Sequence, residues 1–164
     1  MLTLLALSLA GAGYAQTEYS AGDQPNRFGG QSPLAVFAEQ MRTEELMPPA
    51  ALQQHELWTV DLRCRVGPGG TLFGCLADWE SKPDVGLCRA ALAAADRTRL
   101  KDHFADGQSL EGLYASVTMV FDTERIYPHL QVLSKTDPGP LGHPLELEPH
   151  GPPKDCEVPA AAVI

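Results

Sequence analysis

Basic residues are scarce in this chain, which carries 12 Lys and Arg against 21 Asp and Glu, for a formal net charge of −9. Nucleic-acid binding depends on Lys and Arg contacts to phosphate, and an anionic lipid surface repels an acidic protein. We therefore expect no nucleic-acid partner. The acidity names no other partner, because net charge bears on solubility and association rather than on fold.

A hydrophobic run long enough to cross a membrane is also missing from the amino-terminal region. The uncharged apolar stretch at residues 2–15 is shorter than the about 20 residues that a membrane-spanning helix needs. Gly13 and Ala15 are small residues suited to a cleavage site, so the stretch predicts a signal peptide over residues 1–15. No Lys or Arg precedes it, and a structural helix in a cytoplasmic protein is the alternative. A cleaved signal peptide predicts a periplasmic or secreted protein.

Motifs for catalysis and metal binding are absent, since the chain contains neither CxxC nor HExxH. Cys88 with His103 or His129 is the thiol and base that a nucleophilic enzyme would use, but no spacing brings them together. His143 and His150 lie among prolines, where histidines are usually solvated. We therefore expect no catalytic residue, no metal ligand and no cofactor, and predict that the protein is not an enzyme.

The clearest pattern that is present is a strand. Along Trp58–Val66 every second residue is apolar, which is the period of a strand with one buried face. Gly67-Pro68-Gly69-Gly70 then predicts a tight turn, and residues 71–80 predict the returning strand of a hairpin. A bulge near Gly74 accounts for a slip in the spacing of its inward residues. Those inward residues are Leu72, Cys75, Ala77 and Trp79.

A helix and a third strand follow the hairpin. Residues 85–100 are rich in Ala, the best helix former. One side of this helix carries Leu87, Ala91, Ala94 and Thr98. Residues 114–121 then alternate as a strand with Val117, Met119 and Phe121 on one face.

The remaining segments set the domain boundaries. Residues 16–31 have no periodicity and predict a flexible leader, and Ser32-Pro33 predicts the start of a short helix. We expect a domain over residues 32–123, with its core at 58–121, and a Pro-rich tail over 124–164, at whose start residues 124–133 could add a strand or a helical turn. The predicted fold is α+β: a small three-stranded antiparallel sheet with one main helix on a face, a short N-terminal helix and a Pro-rich C-terminal tail.

Four cysteines in an exported chain predict disulfides. Cys64 with Cys75 is favoured among the three possible connectivities, because both project inward from adjacent strands of the hairpin. Cys88 and Cys156 remain, and a bond between them would tie the tail to the helix. Four free thiols, or a single bridge, are the alternatives.

The order of these elements resembles the carboxy-terminal domain of the TonB family. The match covers about 48–121, and Cys64 and Cys75 resemble the hairpin cysteines of a subgroup of periplasmic TonB-like proteins. The resemblance rests on an alternating strand, a glycine turn, a helix with an Ala-Ala-Leu core, a second glycine turn and a final strand. These parts are Val-Asp-Leu-Arg-Cys-Arg-Val at 60–66, Gly-Gly-Thr-Leu at 69–72, Cys-Arg-Ala-Ala-Leu-Ala at 88–93, Asp-Gly-Gln-Ser-Leu-Glu-Gly at 106–112 and Val-Thr-Met-Val-Phe at 117–121.

The resemblance implies a non-catalytic protein-binding module of the periplasm, linked to energy-coupled transmembrane transport at the outer membrane. In that family the last strand receives a short extended segment of a membrane or periplasmic protein, which points to Ser116, Thr118 and Val120 as the partner-binding edge. Residues 124–133 could instead fold back over this edge, and two copies could pair through their edges as a homodimer. The alternative function is that of an unrelated disulfide-stabilised secreted protein with a structural or inhibitory role.

Overall fold

A computed structural model describes residues 18–19, 27–34, 41–47, 49–54, 56–140 and 156. The predicted signal peptide at residues 1–15 lies outside these ranges, and so does the tail from residue 141 onward, apart from Cys156.

The described chain forms one antiparallel sheet of four long strands and one strand of two residues. The strands are β1 (Glu18–Tyr19), β2 (Trp58–Val66), β3 (Leu72–Glu80), β4 (Tyr114–Phe121) and β5 (Ile126–Ser134). Their order in the sheet is β1-β5-β4-β2-β3. The prediction of three strands is therefore wrong. The fourth long strand lies within the region that the sequence assigned to the tail, so the domain extends beyond residue 123.

Strand β5 is easy to miss because Pro128 lies inside it. The Asp122 amide donates to the Arg125 carbonyl over 2.9 Å at the turn between β4 and β5. Hydrogen-bonded pairs alternate along an antiparallel ladder, so the pair of Pro128 with Met119 has its backbone groups pointing away from β4. The absent N–H of the proline therefore removes no bond between the two strands.

The described ranges include three α-helices beside the sheet: α1 (Thr43–Leu46), α2 (Pro49–Leu52) and α3 (Leu87–Arg97). The sequence placed an N-terminal helix from Ser32-Pro33 onward, but the residues described there are not helical. Leu34 forms an isolated bridge with Leu100, and the Lys101 amide donates to the Pro33 carbonyl over 2.9 Å. These backbone bonds hold the segment extended; residues 35–40 lie outside the described chain.

The core lies between α3 and one face of the sheet, which we call the inner face. Alternate residues of β2 are buried, as its sequence predicts, and all seven inward residues predicted for the helix and for β4 are almost inaccessible. Small alanines let α3 approach the sheet closely. The buried Thr98 hydroxyl, just past the end of α3, donates to the Ala94 carbonyl over 2.9 Å, so it needs no solvent.

The cysteines lie in two pairs at disulfide distance, Cys64 with Cys75 and Cys88 with Cys156. The Cα atoms are 4.0 Å apart in the first pair and 5.5 Å apart in the second. These are the pairings that the sequence favoured. Two disulfides indicate an oxidising, extracellular or periplasmic environment.

Candidate functional site

The predicted partner-binding edge is not an edge in the folded protein, because β4 has a strand on each side. Ser116 pairs with Arg63 of β2 and with Val132 of β5. Thr118 and Val120 are also paired on both sides. The prediction that Ser116, Thr118 and Val120 lie along an open edge is therefore wrong. The cause is β5, which folds back over that side of β4 as the sequence analysis allowed.

Two of these residues belong to a polar cluster on the second face of the sheet, which we call the outer face. Thr118 is 9% exposed, and its hydroxyl donates to the Asp61 carboxylate over 2.5 Å. The same hydroxyl accepts a hydrogen bond from the Gln131 side chain over 3.1 Å. The neighbouring Ser116 is 5% exposed, and its hydroxyl has no hydrogen-bond partner among the described residues. Ser116 and Thr118 are thus buried within the sheet and do not form an exposed binding edge.

Arg63 is the centre of the outer face. Its guanidinium donates to both carboxylate oxygens of Asp78 over 3.0 and 2.9 Å, and to Asp137 over 2.6 Å. These hydrogen bonds raise the pKa of Arg63 above its already high usual value, and the one to Asp137 holds the pKa of that carboxyl below its ordinary value. The two acids tie β3 and the segment after β5 to β2. Because Arg63 binds both carboxylate oxygens of Asp78, the pair also fixes the relative orientation of the two side chains.

The open edge of the sheet is β3. Thr71, just before it, forms an isolated bridge with Arg99, but no described strand pairs with the outer side of β3 from Phe73 to Asp78. Phe73 and Leu76 are 52% and 59% exposed, and they are two of the four large apolar side chains that are exposed among the described residues. Both lie opposite arginines of β2, with which they share the outer face. An unpaired backbone and two exposed apolar side chains therefore coincide.

Two bulges shape this edge. Gly74 and Cys75 together face Cys64, so the bulge that the sequence predicted near Gly74 is present, and Gly74 takes a positive φ of 58°. Asp78 is the extra residue of a second bulge, which the sequence did not predict. That bulge moves Trp79 to a position opposite Asp61 on the outer face, so its predicted inward position is wrong. Leu72 and Ala77 are buried as predicted.

The opposite edge of the sheet, on β5, is less open. At one end Arg125 forms a bridge with Arg42, and the Ile126 amide donates to the Met41 carbonyl over 3.0 Å. At the other end β1 pairs with the last two residues of β5. Pro128 provides no N–H in between. Among the described residues, β3 therefore has the longer row of backbone groups without a strand partner.

The thiol and base considered for catalysis are not together. Cys88 is fully buried and bonded to Cys156, so it carries no thiol. His103 contacts Asp102 over 3.0 Å, whereas His129 is on β5. The hydrogen bond from His103 lowers the pKa of Asp102. In the described ranges no three His, Cys, Asp or Glu side chains are grouped as a metal site would need.

Comparisons of this chain with protein-family models, with curated proteins and with solved structures found no match. Across the described residues, no helix has the length and apolar character needed to span a membrane.

The open edge at β3 was not predicted from the sequence, although the pattern of residues 71–80 contained the signal. The slip in spacing that predicted the bulge also turns Phe73 and Leu76 away from the core. What the sequence did not contain was the pairing of β4 with β5, and this pairing decides which strand is left at the edge.

Proposed function

We propose that this chain is a non-catalytic protein-binding module of an oxidising compartment, and that it binds an extended segment of a partner protein along the open edge of β3. The observation that carries the proposal is the coincidence of an edge without a described strand partner and the exposed side chains of Phe73 and Leu76. A strand added at an edge gains main-chain hydrogen bonds, and neighbouring side chains select its sequence.

The partner segment should be apolar on one side. In a sheet, side chains on adjacent strands pack beside each other on the same face. An added strand would therefore place alternate side chains against Phe73 and Leu76 on the outer face. Aromatic or β-branched residues at those positions fit best, because such pairs stabilise a sheet most.

The edge is held rigid before a partner binds. The Cys64–Cys75 bridge joins β3 to β2 at the first bulge, and the Arg63–Asp78 pair joins them next to the second. Rigidity lowers the conformational entropy that binding costs. Bulges usually weaken a strand as a template for indiscriminate pairing, so this edge favours a segment that fits its irregular shape.

The resemblance to the TonB carboxy-terminal domain supports the same class of function. A hairpin, a helix and a strand returning beside the first strand of the hairpin occur in that order, and the residues expected to face the helix are buried. A role in energy-coupled transport, a periplasmic location and export by a cleaved signal peptide are parts of the proposal that rest on the sequence. Binding of a partner along β4 is not part of the proposal, because β5 occupies that side of β4.

Selection of binders from a displayed peptide library, followed by photo-crosslinking, tests the site. A photoreactive residue replaces Leu76 on β3 in one variant and Tyr127 on β5 in its control; both positions are exposed and on the outer face. We expect selected peptides to crosslink from position 76 only, and to slow hydrogen exchange of β3 amides. Crosslinking from position 127 alone, or no binder from the library, would contradict the proposal.

A further inference from the structure

A recess lies away from the β3 edge, between the turn at residues 27–31 and the segment at residues 101–105. Its volume is about 300 Å³, at the lower end of the range for small-molecule sites. Two buried rings, Phe28 and Phe104, form part of the wall, with ring centroids 5.2 Å apart. Lys101 and His103 complete the wall on the other side. One recess thus combines an apolar surface with two nitrogen-bearing side chains.

Cationic side chains lie at this recess in an otherwise acidic chain, beside the Asp102 carboxylate. The Lys101 ammonium donates to the side-chain oxygen of Gln31, which uses one of its three N–H groups. The Arg27 guanidinium lies 4.1 Å from the centroid of the Phe104 ring, so a further positive charge borders the recess. Nδ1 of His103 donates to the Asp102 carboxylate, so Nε2 of the neutral ring is an acceptor and the cationic donor within the recess is Lys101.

The walls of the recess are held by backbone bonds. The Ala105 amide donates to the Arg27 carbonyl over 2.7 Å, and the Gln31 amide donates to the Phe28 carbonyl over 3.2 Å. The segment carrying Lys101 is bonded to residue 33, as described above. Because the two segments are joined through their backbones, they keep their relative positions without a ligand.

We propose that this recess binds a small organic acid, with its carboxylate against the Lys101 ammonium and its apolar body against Phe28 and Phe104. A carboxylate accepts a charge-assisted hydrogen bond from an ammonium, and an aromatic or branched apolar group fits the ring surface. An inorganic anion would leave the apolar wall unused. The site does not depend on protein binding at β3.

Amide NMR spectra of the isotope-labelled full chain, titrated with phenylacetate, test the proposal. We expect saturable shifts confined to amides of residues 27–31 and 101–105. Phenylacetamide has the same ring without the charge, and inorganic phosphate has charge without the ring; we expect each to bind roughly tenfold more weakly or worse, a factor that corresponds to about 1.4 kcal/mol. A peptide ending in Phe, with a free or an amidated carboxyl terminus, distinguishes a peptide end from a free acid as the source of the carboxylate.

Lys101→Gln should weaken phenylacetate binding roughly tenfold, because it removes the charge and keeps a hydrogen-bonding side chain. Lys135→Gln, at an exposed lysine beyond β5, is the matched control and should change nothing. The proposal fails if phenylacetate gives no saturable shifts, if phenylacetamide or phosphate binds as tightly, or if the two lysine variants lose affinity equally.

Discussion

The Gly70 carbonyl accepts a hydrogen bond from the Leu100 amide over 2.9 Å, which joins the hairpin turn to the segment after α3. Gly70 has a φ of 74°, and a Cβ there would lie 1.9 Å from the Leu100 carbonyl oxygen. Gly70→Ala must therefore separate the two segments. We expect it to lower the free energy of unfolding by about 3 kcal/mol or more, measured by urea denaturation.

Gly69→Ala is the control for this effect. Gly69 also has a positive φ, 64°, but a Cβ there would meet no atom within 4 Å. Its cost should be limited to the backbone preference, about 1 kcal/mol. Equal losses in the two variants would show that the close approach to Leu100 does not matter.

The outer-face arginine should be important for stability. Arg63 and Asp78 have side chains only 15% and 11% exposed. Arg63→Met removes the positive charge and leaves the Asp78 carboxylate without this ion-pair partner at a site with little solvent. We expect a loss of about 2–4 kcal/mol in unfolding free energy, whereas Arg42→Met, at an exposed ion pair, should cost less than about 1 kcal/mol.

The Arg63 pairing also predicts a pH dependence. Arg63 depresses the pKa of Asp137 in the folded state, so the stabilisation is complete above the unfolded-state pKa of Asp137 and is lost as the pH falls through the lower folded-state value. Because Asp137 is largely exposed, the contribution is small. Between pH 5 and about pH 2, the stability of Asp137→Asn should fall less steeply than that of the unaltered protein. Identical slopes would exclude this contribution.

Ser116 and Thr118 should respond oppositely to loss of their hydroxyl groups. Ser116→Ala removes a buried hydroxyl without a described partner, so we expect no loss of stability or a gain of up to about 1 kcal/mol. Thr118→Val removes the bonds to Asp61 and Gln131 and should cost about 1–2 kcal/mol. Thermal unfolding of the two variants side by side measures the difference. A large loss from Ser116→Ala would reveal a partner for this hydroxyl.

The two disulfides should contribute unequally. Cys64 and Cys75 are separated by 11 positions in sequence, and Cys88 and Cys156 by 68. Closing a longer loop restrains the unfolded chain more, so the chain-entropy estimate is about 3 kcal/mol for the first bridge and about 4 kcal/mol for the second. Paired Cys→Ala variants, with intact-mass counts of free thiols, check the order. Equal stability of both double variants would show that loop length does not govern the effect.

Much of the inner layer follows from local sequence pattern. The alternation in β2 selects its buried face, the alanines of α3 let it lie close to the sheet, and the odd spacing around Gly74 requires a bulge. These features depend on side-chain period and backbone propensity within short segments. The cysteine pairing follows for the same reason, since Cys64 and Cys75 lie in one hairpin.

Tertiary pairing decided the rest. Whether residues 126–134 form a strand depended on β4 being available beside them and on Pro128 falling where its missing N–H is harmless. That pairing changed β4 from an edge strand into a central one and left β3 open. The second bulge, which turns Trp79 outward, is likewise set by alignment with β2. Sequence by itself thus determined which residues avoid water within β2, α3 and β4, whereas the neighbour of each strand depended on contacts between distant segments, which only the folded chain brings together.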